Sequence, residues 1–133
     1  MATKQQQLTK AETQVMNVLW SLPDEKGFSS DIMKRMPEPK PAMTTLLTFL
    51  KILKDKGFVA TEKMGKSNLF SALVSKDEYT ESFLRYVKKT FFDDSFTSLV
   101  SFFTKRENLS EEQIREIVQI IENDGRLKME DRK

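Results

Sequence analysis

Thr44-Thr45-Leu46-Leu47-Thr48-Phe49-Leu50, running on through Leu53 to Lys56-Gly57-Phe58-Val59 and then Lys63-Met64-Gly65-Lys66-Ser67-Asn68, is the stretch whose reading decides the fold. Just upstream, Pro37, Pro39 and Pro41 fix φ and deny the chain a helix as far as Pro41. Clean helical spacing follows. Leu46, Phe49, Leu50 and Leu53 fall on one face, and Thr44, Thr48, Lys51 and Asp55 on the opposite one. Gly57 stands where a left-handed C′ residue ends such a helix, and Lys54 and Lys56 complement its dipole. Phe58-Val59 and Leu69-Phe70 flank a basic turn, which reads as a β-hairpin. A threonine- and lysine-faced helix followed at once by a basic hairpin is the plan of a winged helix. The helix is expected to lie in a DNA groove.

Outward from this centre, composition narrows the alternatives. With 133 residues, 38% hydrophobic and 32% charged, the chain suffices for one domain, or for a small domain plus an assembly element. It holds no apolar run long enough to span a membrane, and Met1–Gln7 is too polar for a signal peptide, so the expected location is the cytoplasm. Histidine and cysteine are both absent. That removes the usual zinc and copper ligands and the Ser-His and Cys-His nucleophile pairs, so no metal, no cofactor and no enzymatic activity are expected. The net charge of +2 conceals an asymmetry: residues 1–75 carry +4 and residues 76–133 carry −2. The positive half holds the elements read as facing DNA, as steering toward phosphate requires.

Upstream, Thr9-Lys10-Ala11-Glu12 is a capping box that opens a first helix reaching to about Leu22, with Val15, Val18, Leu19 and Leu22 inward. Pro23 to Gly27 breaks it, and Ser29 is read as the N-cap of a short second helix with Ile32, Met33 and Met36 buried. Thr44, Thr45, Leu47 and Thr48 are the candidate base contacts. Threonine offers a hydroxyl and a methyl to base edges, and three β-branched threonines are a poor choice for a helix that needs only to be soluble. Ser29, Lys40, Lys51, Lys63, Lys66 and Ser67 are the candidate phosphate contacts, with Lys54 beside them. Plainer readings remain beside these: a serine that is only a cap, lysines that only protect an edge strand, and an ordinary exposed leucine.

From Lys76 onward the pattern is purely helical. Tyr79, Phe83, Tyr86, Val87 and Phe91 form one stripe, and Phe96, Leu99, Val100 and Phe103 a second. Leu109-Ser110-Glu111-Glu112-Gln113 is another capping box, followed by Ile114, Ile117, Val118 and Ile121, with Gly125 read as a stop. Three such faces after a complete small domain exceed what one chain can bury, so these residues are assigned to a two-fold dimer interface. The expected architecture is therefore mostly α with a small β-hairpin wing. It comprises a winged helix-turn-helix over 8–75, a three-helix dimerisation region over 76–124, and flexible tails at 1–7 and 125–133.

Four blocks in order resemble the penicillinase-repressor family, which includes the repressors of β-lactamase and methicillin-resistance genes. They are Leu8-Thr9-Lys10-Ala11-Glu12 with Val15-Met16-Asn17-Val18-Leu19-Trp20, Thr45–Leu50 with Leu53, Lys56-Gly57-Phe58, and Ser98–Phe103 through Asn108-Leu109-Ser110. The resemblance spans about residues 8 to 123. It implies a homodimeric winged-helix repressor on an inverted-repeat operator, with Thr44, Thr45 and Thr48 where the family reads bases and Lys66 in the wing. It also implies release by proteolysis in the C-terminal helices, through a signalling protease. The matching bond is Ser101-Phe102, where the resistance repressors carry Asn-Phe. Leu47 and Ile52 replace polar or basic residues common in the family. A copper-responsive branch senses metal through C-terminal cysteines, which this chain lacks. An alternative from another class is a winged helix that meets a protein partner through its threonine face.

Overall fold

A computed structural model of the chain describes residues 7–131, with side chains described through residue 124. Helix α1 (Lys10–Ser21) opens on the expected capping box: the Thr9 N–H donates to Glu12 Oε1 at 3.0 Å, and the Glu12 N–H donates to Thr9 Oγ1 at 3.1 Å. Val15, Val18, Leu19 and Leu22 are buried as their spacing predicts, and Met16 joins them. Trp20 lies at the edge of this face, its indole N–H donating to the Val74 carbonyl at 2.9 Å.

A short strand, β1 (Lys26–Phe28), leads into α2 (Ser29–Arg35). The strand is absent from the sequence reading because three residues are too few to display a period of two. Its existence depends on a partner more than forty residues away, since Gly27 pairs with Phe70. A Cβ at Gly27 would meet Leu22 Cδ1 at 2.5 Å and Asp31 Cβ at 3.3 Å, so a side chain here would have to push Leu22 aside. The N-cap of α2 is Phe28, and Ser29 is the first helical residue, which corrects its reading as the cap. Asp31 does the work from inside the helix, its carboxylate accepting the Phe28 N–H at 2.9 Å.

Helix α3 (Met43–Asp55) buries Leu46, Leu50 and Leu53. It ends in a Schellman motif. The Gly57 N–H donates to the Lys54 carbonyl at 3.0 Å and the Phe58 N–H to the Leu53 carbonyl at 2.9 Å, with Gly57 at φ +88°. The chain then forms β2 (Val59–Met64) and β3 (Ser67–Ala72), joined by Gly65-Lys66 with Gly65 at φ +64°. The antiparallel sheet has the order β1-β3-β2. Phe58, Met16, Leu19, Ile32, Leu46, Leu50 and Leu53 are among the fully buried side chains at its centre. Each contributes about 1.5–3 kcal/mol by leaving water.

Glu12 and Lys56 bind α1 to the end of α3. The ammonium lies 2.7 Å from Glu12 Oε1, with the carboxylate nearly buried. Burial by itself would raise the Glu12 carboxyl, but hydrogen bonds from Lys56 and from the Thr9 backbone, with the Lys56 charge, hold it below the usual carboxylate range. The helix that faces outward is thus fixed at its C-terminal end by a charge-assisted bond to a helix behind it.

Helices α4 (Lys76–Phe91), α5 (Phe96–Glu107) and α6 (Glu111–Asp131) complete the described chain. Each begins on a serine that accepts a backbone N–H: Ser75 from Glu78 at 3.0 Å, Ser95 from Ser98 at 3.1 Å, and Ser110 from Gln113 at 3.1 Å. Gly125 does not stop α6, which continues to Asp131, because one glycine inside a helix costs only about 1 kcal/mol. Of the tails expected to be flexible, residues 1–6, 132 and 133 lie outside the described residues. The chain divides into two compact units, Met1–Tyr86 and Val87–Lys133. Among the described residues no helix is long and apolar enough to cross a membrane.

Candidate nucleic-acid interface

With Leu46, Leu50 and Leu53 turned into the core, the helical period leaves Thr44, Thr45, Leu47, Thr48 and Lys51 exposed together on α3. The Thr48 hydroxyl donates to the Thr44 carbonyl at 3.0 Å. Its donor is thereby used within the helix, leaving an oxygen acceptor and a methyl for a base edge. Met43, at the first position of α3, is exposed as well. Sequence reasoning missed it because it precedes the periodic run, and because its i+3 neighbour Leu46 is buried, so spacing alone would place Met43 on the inner face.

The wing presents Lys63, Lys66 and Ser67, all exposed. Register decides which wing residues look toward α3. Thr61 pairs with Phe70 and Lys63 with Asn68, and Phe70 points into the core, so alternation puts Thr61, Lys63 and Asn68 on the same side of the hairpin as Phe70. Between α3 and the hairpin runs a groove lined by Lys51, Lys54 and Asp55 on the helical side and by Thr61 and Asn68 on the other. Thr61 and Asn68 escaped the sequence reading because the pairing register that brings them beside the lysines is a long-range property.

Two expected phosphate ligands are placed differently. The Lys40 ammonium turns back onto α2, donating to the carbonyls of Met33 at 2.8 Å, Lys34 at 2.9 Å and Met36 at 3.1 Å. The last carbonyls of a helix lack intrahelical partners and carry the negative end of its dipole, so they outcompete water for a nearby cation. Lys40 is therefore a clasp on the turn between α2 and α3. Ser29, now the first residue of α2, is half-buried.

Of the residues assigned to a dimer face, Tyr79 is committed within its own unit. It is buried, its hydroxyl accepts the Leu8 N–H at 3.0 Å, and its ring meets Phe58 edge-on at 5.6 Å. The stripe read from 4-and-3 spacing was right about periodicity, but α4's first turn packs on the N-terminal core. Phe83, Tyr86, Phe91, Phe96, Phe103, Ile114, Val118 and Ile121 are exposed, while Val87, Leu99, Val100 and Ile117 are half-buried. Leu84, Phe102 and Ile120 are also exposed, and the sequence reading did not assign them to this face. Ser101 and Phe102 lie within α5, where the Phe102 ring packs edge-on against Phe92 at 5.5 Å and under the Arg106 guanidinium at 4.3 Å.

A family model described as penicillinase repressor matches residues 8–123. The penicillinase repressor of Bacillus licheniformis is 26% identical over 129 residues, covering 93% of this chain and 96% of that protein. The methicillin resistance regulatory protein MecI of Staphylococcus aureus (strain N315) is 25% identical over 122 residues, covering 91% of this chain and 98% of that protein. A solved structure of a MarR family transcriptional regulator from Streptomyces coelicolor aligns at a TM-score of 0.46 with 17% identity, covering 93% of this chain and 76% of that one.

Proposed function

The chain belongs to the penicillinase repressor family, one of transcriptional repressors rather than enzymes, and on that premise we propose that it is a homodimer that represses transcription by reading an inverted-repeat operator. The observation that carries this is the face of α3. A helix whose buried side is leucine exposes Thr44, Thr45, Leu47 and Thr48 beside a wing bearing Lys63 and Lys66. Bases would be read by the first group, and phosphates held by Lys51, Lys63, Lys66 and Ser67. The apolar side chains exposed along α5 and α6 support a second copy of the chain as the dimer partner.

Release of the operator would follow cleavage between Ser101 and Phe102 by a signalling protease. That bond lies inside α5, and proteases bind extended backbone, so α5 must first open locally. The Phe92 and Arg106 contacts on Phe102 oppose that opening. The protein would act in the cytoplasm, on double-stranded DNA.

Paired substitutions test the placement of helix and wing. Thr48→Ala is expected to cut preference for the operator over a scrambled duplex by roughly five- to tenfold, the low end of the about 1–3 kcal/mol that a good bidentate base contact is worth. Lys66→Ala is expected to weaken both duplexes equally and to lower the salt slope by about two, one for each protomer of the dimer. Operator binding unchanged in both variants, titrated by fluorescence anisotropy, would show that neither element meets DNA.

A further inference from the structure

The groove between α3 and the hairpin contains one group that a DNA-binding surface would be expected to avoid. Asp55 stands on the polar face of α3, in line with Thr44, Thr48 and Lys51, with its carboxylate largely exposed. Its Oδ2 lies 3.4 Å from Lys51 Nζ, and the two side chains are 65% and 77% exposed. Pairs so exposed hold together weakly and exchange partners readily. Across the groove, Asn68 and Thr61 offer an amide and a hydroxyl, and Lys54 adds a second ammonium. The floor is apolar, formed by Leu50 and Phe70, which are buried and cannot compete for an anion.

We propose that this groove takes a DNA phosphodiester backbone, with Lys51, Lys54 and Asn68 as its ligands, and that Asp55 acts as a built-in brake on binding by holding Lys51 until a phosphate displaces it. The proposal rests on the DNA-reading function above and deepens it. A backbone strand passing between a helix in the major groove and a wing beside it would run along this groove, and the charge suits it. Two ammonium groups and an amide face a polyanion, and the one carboxylate present subtracts from them. Phosphate contacts fix register and orientation without reading sequence, so the brake scales affinity for every duplex alike and leaves preference untouched.

The test is Asp55→Asn, alone and with Lys51→Gln, in the full-length protein. Asparagine removes the charge at nearly constant shape, and an uncharged residue in the last turn of α3 suits the dipole better than aspartate does, so the fold is preserved. Asp55→Asn is expected to bind promoter and scrambled duplexes roughly three- to tenfold more tightly than wild type, with a salt slope steeper by up to about two, one for each protomer of the dimer. In the Lys51→Gln background the gain is expected to shrink below about twofold. Two outcomes overturn the brake while leaving the DNA reading intact: a wild type that binds DNA and gains nothing from Asp55→Asn, or a gain undiminished by Lys51→Gln. A wild type that binds no duplex at all would remove the underlying reading itself.

Discussion

Phe103→Glu is expected to leave the protein monomeric at micromolar concentration and to weaken operator binding by at least about a hundredfold. Phe103 lies on α5 and is 60% exposed in the single chain, with Phe96 on the same helix at 62%. Burying such a ring in an interface gains about 1.5–3 kcal/mol, and a two-fold axis counts it twice. Glutamate forfeits both gains and adds the cost of desolvating two carboxylates. A monomer then holds one half-site where the dimer holds two, so affinity falls with assembly. Because the position faces solvent within the chain, helix content by circular dichroism should not change. Sedimentation equilibrium reads the assembly directly. A variant that dimerises as tightly as wild type would mean that this face of α5 is not the interface.

Phe58→Ala is expected to destabilise the N-terminal unit by about 3–5 kcal/mol, a large share of the 5–15 kcal/mol typical of a folded protein. The ring is 1% exposed and meets Tyr79 edge-on at 5.6 Å. The Phe58 N–H closes the end of α3 on the Leu53 carbonyl, and its side chain belongs to the same buried cluster as Leu53. Losing it empties the core beneath α3, so operator binding should fail at a lower temperature than in wild type. Urea denaturation monitored by Trp20 fluorescence measures the loss. A midpoint shift equivalent to less than about 1 kcal/mol would contradict this account of the core.

The features legible in the sequence are those determined within one turn or one hairpin. The Thr9 and Ser110 capping boxes, the leucine stripe of α3, Gly57 at its end and the Gly65 turn all depend on residues within a few positions of one another. Local hydrogen bonding and the 3.6-residue period fix these. What the sequence concealed depends on distant partners. Strand β1 exists because β3 offers it an edge. Lys40 turns back onto α2, away from its expected role as a phosphate ligand, because the unpaired carbonyls of α2 lie within its reach. Tyr79 turns inward from the apolar stripe of α4 because Phe58 and the Leu8 amide lie beneath it. Thr61 and Asn68 join the candidate interface only once strand register is known. Within that interface, the threonines were readable because a helix declares its faces through its buried leucines. The groove beside them was not, because a groove belongs to two elements at once.

The central claim is that the chain reads a DNA sequence as a dimer. The most direct test is equilibrium binding of the purified protein to duplex DNA from its own upstream promoter, against a scrambled duplex of equal length, at 50 and 200 mM salt. The account predicts a strong preference for the promoter, one dimer per site, and a fall in affinity of orders of magnitude between the two salt concentrations. Absence of binding to either duplex at the lower salt would contradict it, and would turn the exposed threonine face toward a protein partner instead.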